Sequence, residues 1–229
     1  GLVCISWGIL RYVLDILALF TFVMLVLRRY SMKLFNASAI TLLLGLFIAV
    51  LAPRNGVALL TGSDILPTVF ILGLLIAYEG SKYLSRIPFL SKIGRRIVTI
   101  NPFLLFTVGA LGVLAILLVT PMGSKFFPVI VPIFRETQAR ILASVGEQLP
   151  SIWANFYQYF GILIALSILG LYFSFRRLSD VDVFMILSTI TLVYFSGSMI
   201  RIIVTLAPIL TIVAGYGLSN VLKPFSKIM

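Results

Sequence analysis

The sequence predicts an all-α, polytopic membrane protein of about seven transmembrane helices with one long outward loop, and three observations predict it. First, 61% of the 229 residues are hydrophobic and only 11% are charged, where a soluble domain carries about a quarter charged residues. Too little polar surface remains to cover a water-soluble body, so lipid is the solvent for much of the chain. Second, apolar runs of roughly 17–25 residues, the length that crosses a bilayer as helix, recur along the sequence. Third, these runs are continuous rather than alternating. Backbone amides in hydrocarbon must bond internally, which admits helices or closed barrels, and continuous runs select helices.

Span one covers residues 5–27 and ends at Arg28, Arg29 and Lys33; span two covers 34–52 and stops at the turn-forming run Pro53-Arg54-Asn55-Gly56. Span three, 64–80, meets a basic segment with Lys82, Arg86, Lys92, Arg95 and Arg96, and span four, 98–120, ends at Pro121. Residues 1–120 thus form a four-helix part. The segment 121–153 is too polar and proline-marked to span, and connections of this length are usually functional or disordered. Within it Phe126, Phe127, Ile130, Ile133 and Phe134 give an apolar face suited to the membrane interface. Spans five (154–175, stopped by Arg176-Arg177), six (181–197) and seven (199–222) make up a three-helix part, 154–222, followed by a tail at 223–229.

Charge asymmetry orients the spans. The loops after spans one, three, five and seven hold twelve of the eighteen Lys and Arg residues. That side is cytoplasmic, and the 121–153 loop faces outward. The net charge of +11 is therefore a set of span flanks, and no nucleic-acid partner is expected. A single cysteine, Cys4, excludes an internal disulfide, and the absence of histidine excludes His-based catalysis and ligation within this chain. Gly1 leads almost directly into a span without a signal-peptide pattern. The expectation is a piece of a longer chain, with a processed mature N-terminus as the alternative.

The chemistry-bearing stretch is Ser144-Val145-Gly146-Glu147-Gln148-Leu149-Pro150-Ser151-Ile152-Trp153. Glu147 stands beside a flexible glycine on the outer side. It is suited to ligate a hard divalent cation or to accept a hydrogen bond from a substrate amide. The plainer reading is a solvated loop glutamate, with Trp153 as an interface anchor. Arg201 is the second candidate. An arginine within a span costs about 2.5–3.5 kcal/mol on insertion scales and faces a cavity or partner; at a helix end it snorkels to the interface instead. Residue chemistry alone leaves both pairs of readings open.

Ala143 to Glu147, with Pro150 and Trp153, resembles the S-V-x-E motif of oligosaccharyltransferase catalytic subunits. A second block, Val193-Tyr194-Phe195-Ser196-Gly197-Ser198-Met199-Ile200-Arg201 and then Thr205-Leu206-Ala207-Pro208, is similar to that family's arginine-bearing helix segment. Trp7-Gly8, Arg29-Tyr30-Ser31 and Ala77-Tyr78 fit the same alignment more weakly. The resemblance runs in order over essentially the whole chain. Gln148 stands where many eukaryotic members have histidine. The family's earlier carboxylates, its final span and its C-terminal W-W-D-Y-G domain have no counterpart here.

The resemblance implies a partial membrane region of GT-C type that transfers a glycan from a polyprenyl (dolichyl) phosphate or pyrophosphate carrier to asparagine in N-x-S/T sequons. It implies a metal-proximal, catalytic Glu147 that holds the acceptor amide. It also implies a substrate-binding set of Ser144, Val145, Gly146, Tyr194 and Arg201, the arginine on carrier phosphate. Mn2+ or Mg2+ is the implied cofactor, with most ligands outside this chain, so the chain alone is expected to be inactive. The implied partners are lipid-linked oligosaccharide, an acceptor polypeptide and the bilayer. The absent histidines and Ile-rich spans lean toward an archaeon, with the active side outside a prokaryotic plasma membrane.

Other polar residues read as structural. Arg11 and Asp15, four apart, can pair on one face of span one. Asp64 reads as a helix N-terminal charge or a group facing the carrier cavity. Glu79, Asp180 and Asp182 read as cytoplasmic flanks; Lys125, Arg135 and Arg140 as solvated charges or as a hold on an anionic carrier. The Asn36-Ala37-Ser38 sequon lies on the cytoplasmic side, where no glycan is added. Two competing functions remain. A transporter or permease predicts paired interrupted helices in two halves and midplane ion sites; the sequence shows neither, and the Gly- and Pro-bearing spans three and seven keep that reading open. Another polyprenyl-phosphate-sugar glycosyltransferase would lack the S-V-x-E loop.

Overall fold

The structure, a computed structural model, describes residues 9–51, 56–57, 59, 65–84, 108, 111–112 and 149–224. All regular structure among them is helical. The chain divides into two units, Gly1–Phe126 and Phe127–Met229.

The first unit contains α1 (Ile9–Val26), α2 (Met32–Leu51) and α3 (Leu66–Leu84). The α1–α2 turn places Arg28 at φ 59°, and Ser31 starts α2 by accepting from the Leu34 amide through its hydroxyl at 3.1 Å. That cap begins the helix two residues ahead of the expected start and draws Lys33 into its first turn. Buried residues recur at helical spacing: Leu14, Ala18 and Leu25 on α1, Ala39, Leu42, Leu46 and Ala49 on α2, Ile71, Leu72, Leu75 and Tyr78 on α3. The outer face of α2 is equally apolar, exposing Ile40, Leu43, Leu44, Phe47 and Leu51. A helix apolar all round fits lipid as its solvent.

Polar groups inside this unit are tied to neighbouring helices. Asp15 accepts from the fully buried Thr68 hydroxyl at 2.9 Å; the side chain of its expected partner, Arg11, lies outside the described residues. Thr21 donates to Ser38 at 3.0 Å, so the serine of the Asn36 sequon serves helix packing. Glu79 is not a flank. It is 5% exposed and accepts from the Tyr30 hydroxyl, while the Tyr30 and Tyr78 rings meet edge-on at 5.3 Å.

The second unit contains α4 (Trp153–Phe160), α5 (Ile162–Arg177), α6 (Asp180–Ser198), a short 3-10 turn (Ile200–Ile202) and α7 (Ile203–Leu222). The expected continuous span over 154–175 is corrected here: α4 and α5 meet at 91°. Gly161 makes the corner at φ 46°, ψ −120°, a conformation open to glycine and strained for other residues. Span six holds to within one residue at each end. Asp182, read as a flank, is 1% exposed and forms a capping box with Ser179, the Ser179 hydroxyl donating to its carboxylate at 2.5 Å. Arg177 adds an ion pair at 3.4 Å. Asp180 is exposed.

Helix α7 packs chiefly on α5 through small residues. A Cβ on Gly217 would collide with the Leu166 carbonyl oxygen and come within 2.7 Å of the Gly170 nitrogen; one on Gly170 would collide with the Val213 carbonyl oxygen. Ser167, Gly170 and Ser174 form the buried face of α5 opposite Val213, Ala214 and Gly217. Without a hydrophobic drive between helices in lipid, such close backbone approach is what holds spans together.

By length and composition, three helices among the described residues can cross a membrane: Met32–Leu51, Asp180–Ser198 and Ile200–Leu222. The bent α4–α5 pair makes a fourth if it counts as one span. Of the expected span four, only residues 108 and 111–112 are described, all helical, and the 121–153 loop is described only from 149 on.

Candidate functional site

Two blocks singled out in the sequence bear on the site, and their described parts converge. Helix α6 ends at Ser198 because Met199 turns extended, at φ −148°, ψ 124°. The last four carbonyls of a helix have no partner within it. Two are taken up by the segment before α4: the Ser151 amide donates to the Gly197 carbonyl at 3.0 Å, and the Ser151 hydroxyl to the Ser196 carbonyl at 2.5 Å. In return the Ile200 amide donates to the Leu149 carbonyl at 3.1 Å. Three hydrogen bonds thus clasp residues 149–151, the end of the acidic stretch, to the turn that carries Arg201.

Arg201 is exposed in that turn, immediately before α7. The turn leads directly into the N-terminus of α7, the end of a helix that carries positive partial charge. Tyr194 stands on the last two turns of α6, 48% exposed, its ring edge-on to Phe195 at 5.5 Å. Ser198 donates to the Tyr194 carbonyl at 3.3 Å. The Ser196 hydroxyl is buried without a hydrogen-bond partner among the described residues, as is that of Thr205, one turn beyond Arg201. Pro208 lies inside the continuous helix α7, and Thr211 bonds the Ala207 and Pro208 carbonyls beside it at 3.0 and 2.9 Å.

Ser144, Val145, Gly146 and Glu147 lie outside the described residues, as do Asp64, Lys125, Arg135 and Arg140. Among the described residues no three side chains of metal-ligating type come together. Asp180 and Asp182 start α6, about 21–26 Å of helix from the clasp at 1.5 Å per residue. The described part therefore supplies no donor set for Mn2+ or Mg2+. Ser151 and the Ser196–Gly197 carbonyls were not assigned a role from sequence. A small polar run ending a helix, with a serine next to a proline 45 residues earlier, is the only signal, and it does not say that the two meet.

Comparison with known proteins bears on the whole chain. Residues 1–214 match the family described as oligosaccharyl transferase STT3, N-terminal. The chain is 30% identical over 228 residues to the dolichyl-diphosphooligosaccharide–protein glycosyltransferase subunit STT3 of Dictyostelium discoideum, covering 97% of this chain and 31% of that protein. The rice subunit STT3B is 29% identical over 98% of the chain and 32% of its own length. The Caenorhabditis elegans subunit stt-3 is 26% identical over 97% and 30%. The chain spans about a third of the length of these relatives, all from eukaryotes.

Proposed function

The chain belongs to the oligosaccharyl transferase STT3 family, and from that premise we propose that it is part of a membrane oligosaccharyltransferase. The reaction is transfer of a glycan from a polyprenyl (dolichyl) phosphate or pyrophosphate carrier to the asparagine amide of an N-x-S/T sequon. The observation that carries this reading is the clasp. It ties the end of the S-V-x-E stretch to the turn bearing Arg201, two elements that serve the two substrates. Leu149 follows Glu147 by two residues, a reach of at most about 7 Å.

In this reading Glu147 accepts hydrogen bonds from the acceptor amide. An amide nitrogen is a poor nucleophile while its lone pair is delocalised into the carbonyl. A carboxylate that bonds the rotated amide better than the planar one favours the reactive form. Ser144, Val145 and Gly146 line the acceptor side. Arg201, backed by the N-terminus of α7, neutralises carrier phosphate oxygens as the glycosyl bond breaks, and Tyr194 lines the donor side. Mn2+ or Mg2+ would be held by Glu147 and further groups, all outside the described residues, and would supply positive charge against the carrier phosphates.

The loop 121–153 faces outward in this reading, on the strength of the basic residues concentrated on the opposite side. The archaeal source and prokaryotic plasma membrane rest on composition alone, and the relatives, being eukaryotic, lend them no support. Family membership removes the grounds for a transporter. The test is Glu147→Gln in the intact protein, assayed for transfer to a fluorescent sequon peptide. Transfer falls by roughly 100-fold or more, the scale of losing one transition-state contact, while donor binding persists. Normal transfer by that variant refutes the assignment.

A further inference from the structure

We propose that Ser151 is a positioning residue: its hydroxyl bond to the Ser196 carbonyl keeps the acceptor-side loop in register with the donor-side Arg201 turn. The inference rests on the oligosaccharyltransferase reading and adds a residue to it.

Three features carry the proposal. The clasp pairs reciprocally, since Ser151 N–H reaches the Gly197 carbonyl at 3.0 Å while Ile200 N–H reaches the Leu149 carbonyl at 3.1 Å. Such crossed bonds fix register as well as distance. The third bond is the only one of the three made by a side chain, at 2.5 Å, and it lands on a carbonyl that α6 cannot satisfy itself. Its two ends flank the reacting groups of the proposed chemistry. Ser151 follows Glu147 by four residues, and Ser196 precedes Arg201 by five. Neither Ser151 nor Ser196 needs to touch a substrate. Each affects the reaction only through where Glu147 and Arg201 stand relative to one another.

A positioning role differs from a capping role in its kinetics. Each substrate is bound by its own side of the clasp, so loosening the clasp leaves both affinities intact. What suffers is alignment of acceptor amide and carrier phosphate, and a misplacement of about 1 Å can cost up to about 100-fold in rate. The backbone bonds remain when the hydroxyl is removed, so a partial loss, roughly 10-fold, is expected.

The experiment compares Ser151→Ala and Ser151→Thr with the parent in the intact protein, reconstituted in nanodiscs. It uses a dolichyl-diphosphate-linked oligosaccharide and a fluorescent sequon peptide. Expected for Ser151→Ala are a kcat lower by about 10-fold, both KM values within about 2-fold, an unchanged thermal midpoint, and recovery of kcat in Ser151→Thr. An unchanged kcat overturns the proposal. So does a kcat loss accompanied by weaker binding of either substrate, or by a lower midpoint, because the bond is then a helix cap and nothing more. Glu147→Gln run alongside separates the two levels: if it transfers normally, the functional reading falls and this inference with it. If it is inactive while Ser151→Ala is normal, only this inference falls.

Discussion

Replacing Gly217 by alanine tests the packing of the second unit most directly. The added Cβ would stand 2.7 Å from the Gly170 nitrogen and 3.1 Å from its Cα, and would collide with the Leu166 carbonyl oxygen. An ordinary contact needs about 3.5 Å. All three obstructing atoms are backbone of α5, so no side chain can swing aside, and the helices must part by about 0.8 Å or more. A gap of that size forfeits a quarter to a half of the dispersion energy along the seam. Overpacking of this kind costs about 1–3 kcal/mol, and the upper end applies where backbone meets backbone. At roughly 2–4 °C per kcal/mol, the thermal midpoint in detergent falls by about 6–12 °C. Gly215, two residues earlier in the same helix, has open space around its would-be Cβ. Gly215→Ala therefore keeps or raises the midpoint, since alanine favours helix by up to about 1 kcal/mol. Equal midpoints for the two variants would refute the backbone-contact account of the α5–α7 seam.

Four further outcomes are expected. Arg201→Ala raises the donor KM or lowers turnover by about 10-fold or more and leaves the peptide KM alone, as donor-titration kinetics will show; unchanged donor kinetics would remove Arg201 from the site. Asp182→Ala dismantles the capping box at the start of α6 and costs about 1–2 kcal/mol in thermal unfolding, whereas Asp180→Ala, at an exposed position, stays close to the parent. Tyr30→Phe takes a donor from the buried Glu79 carboxylate and lowers the midpoint by the equivalent of about 1–3 kcal/mol. Gly161→Ala forces a side chain into the corner between α4 and α5 and destabilises by about 1 kcal/mol or more, measured the same way.

Hydropathy and flanking charge made α6 legible because its start is local. Arg176-Arg177 stops one helix and the Ser179–Asp182 pair starts the next. Helix α7, in contrast, begins at Ile203, four residues after the expected 199, because Met199 turns extended and Ile200–Ile202 form a 3-10 turn. Other features depend on distant chain and were not legible. Glu79 looks like any charge at a span end until Tyr30, 49 residues earlier, is seen against it. The corner at Gly161 is invisible to hydropathy, since both arms are apolar and glycine is common within membrane helices. At the site, motif resemblance pointed to Tyr194 and Arg201, which stand next to the clasp. It said nothing of Ser151, whose part is a hydroxyl on a carbonyl far along the chain. Glu147 and residues 144–146 remain known from sequence alone.

The glycine seam also has a history within each molecule. Gly217 follows Gly170 by 47 residues, so at a synthesis rate of 5–20 residues per second α5 waits roughly 2–9 s for its main partner. Helix α6 is made in that interval, and several of its hydroxyls are committed to its own backbone: Ser188 bonds the Phe184 carbonyl, Thr189 that of Met185 and Thr191 that of Leu187. It can thus be inserted without borrowing partners from the exposed small-residue face of α5. That face closes on α7 once α7 is made.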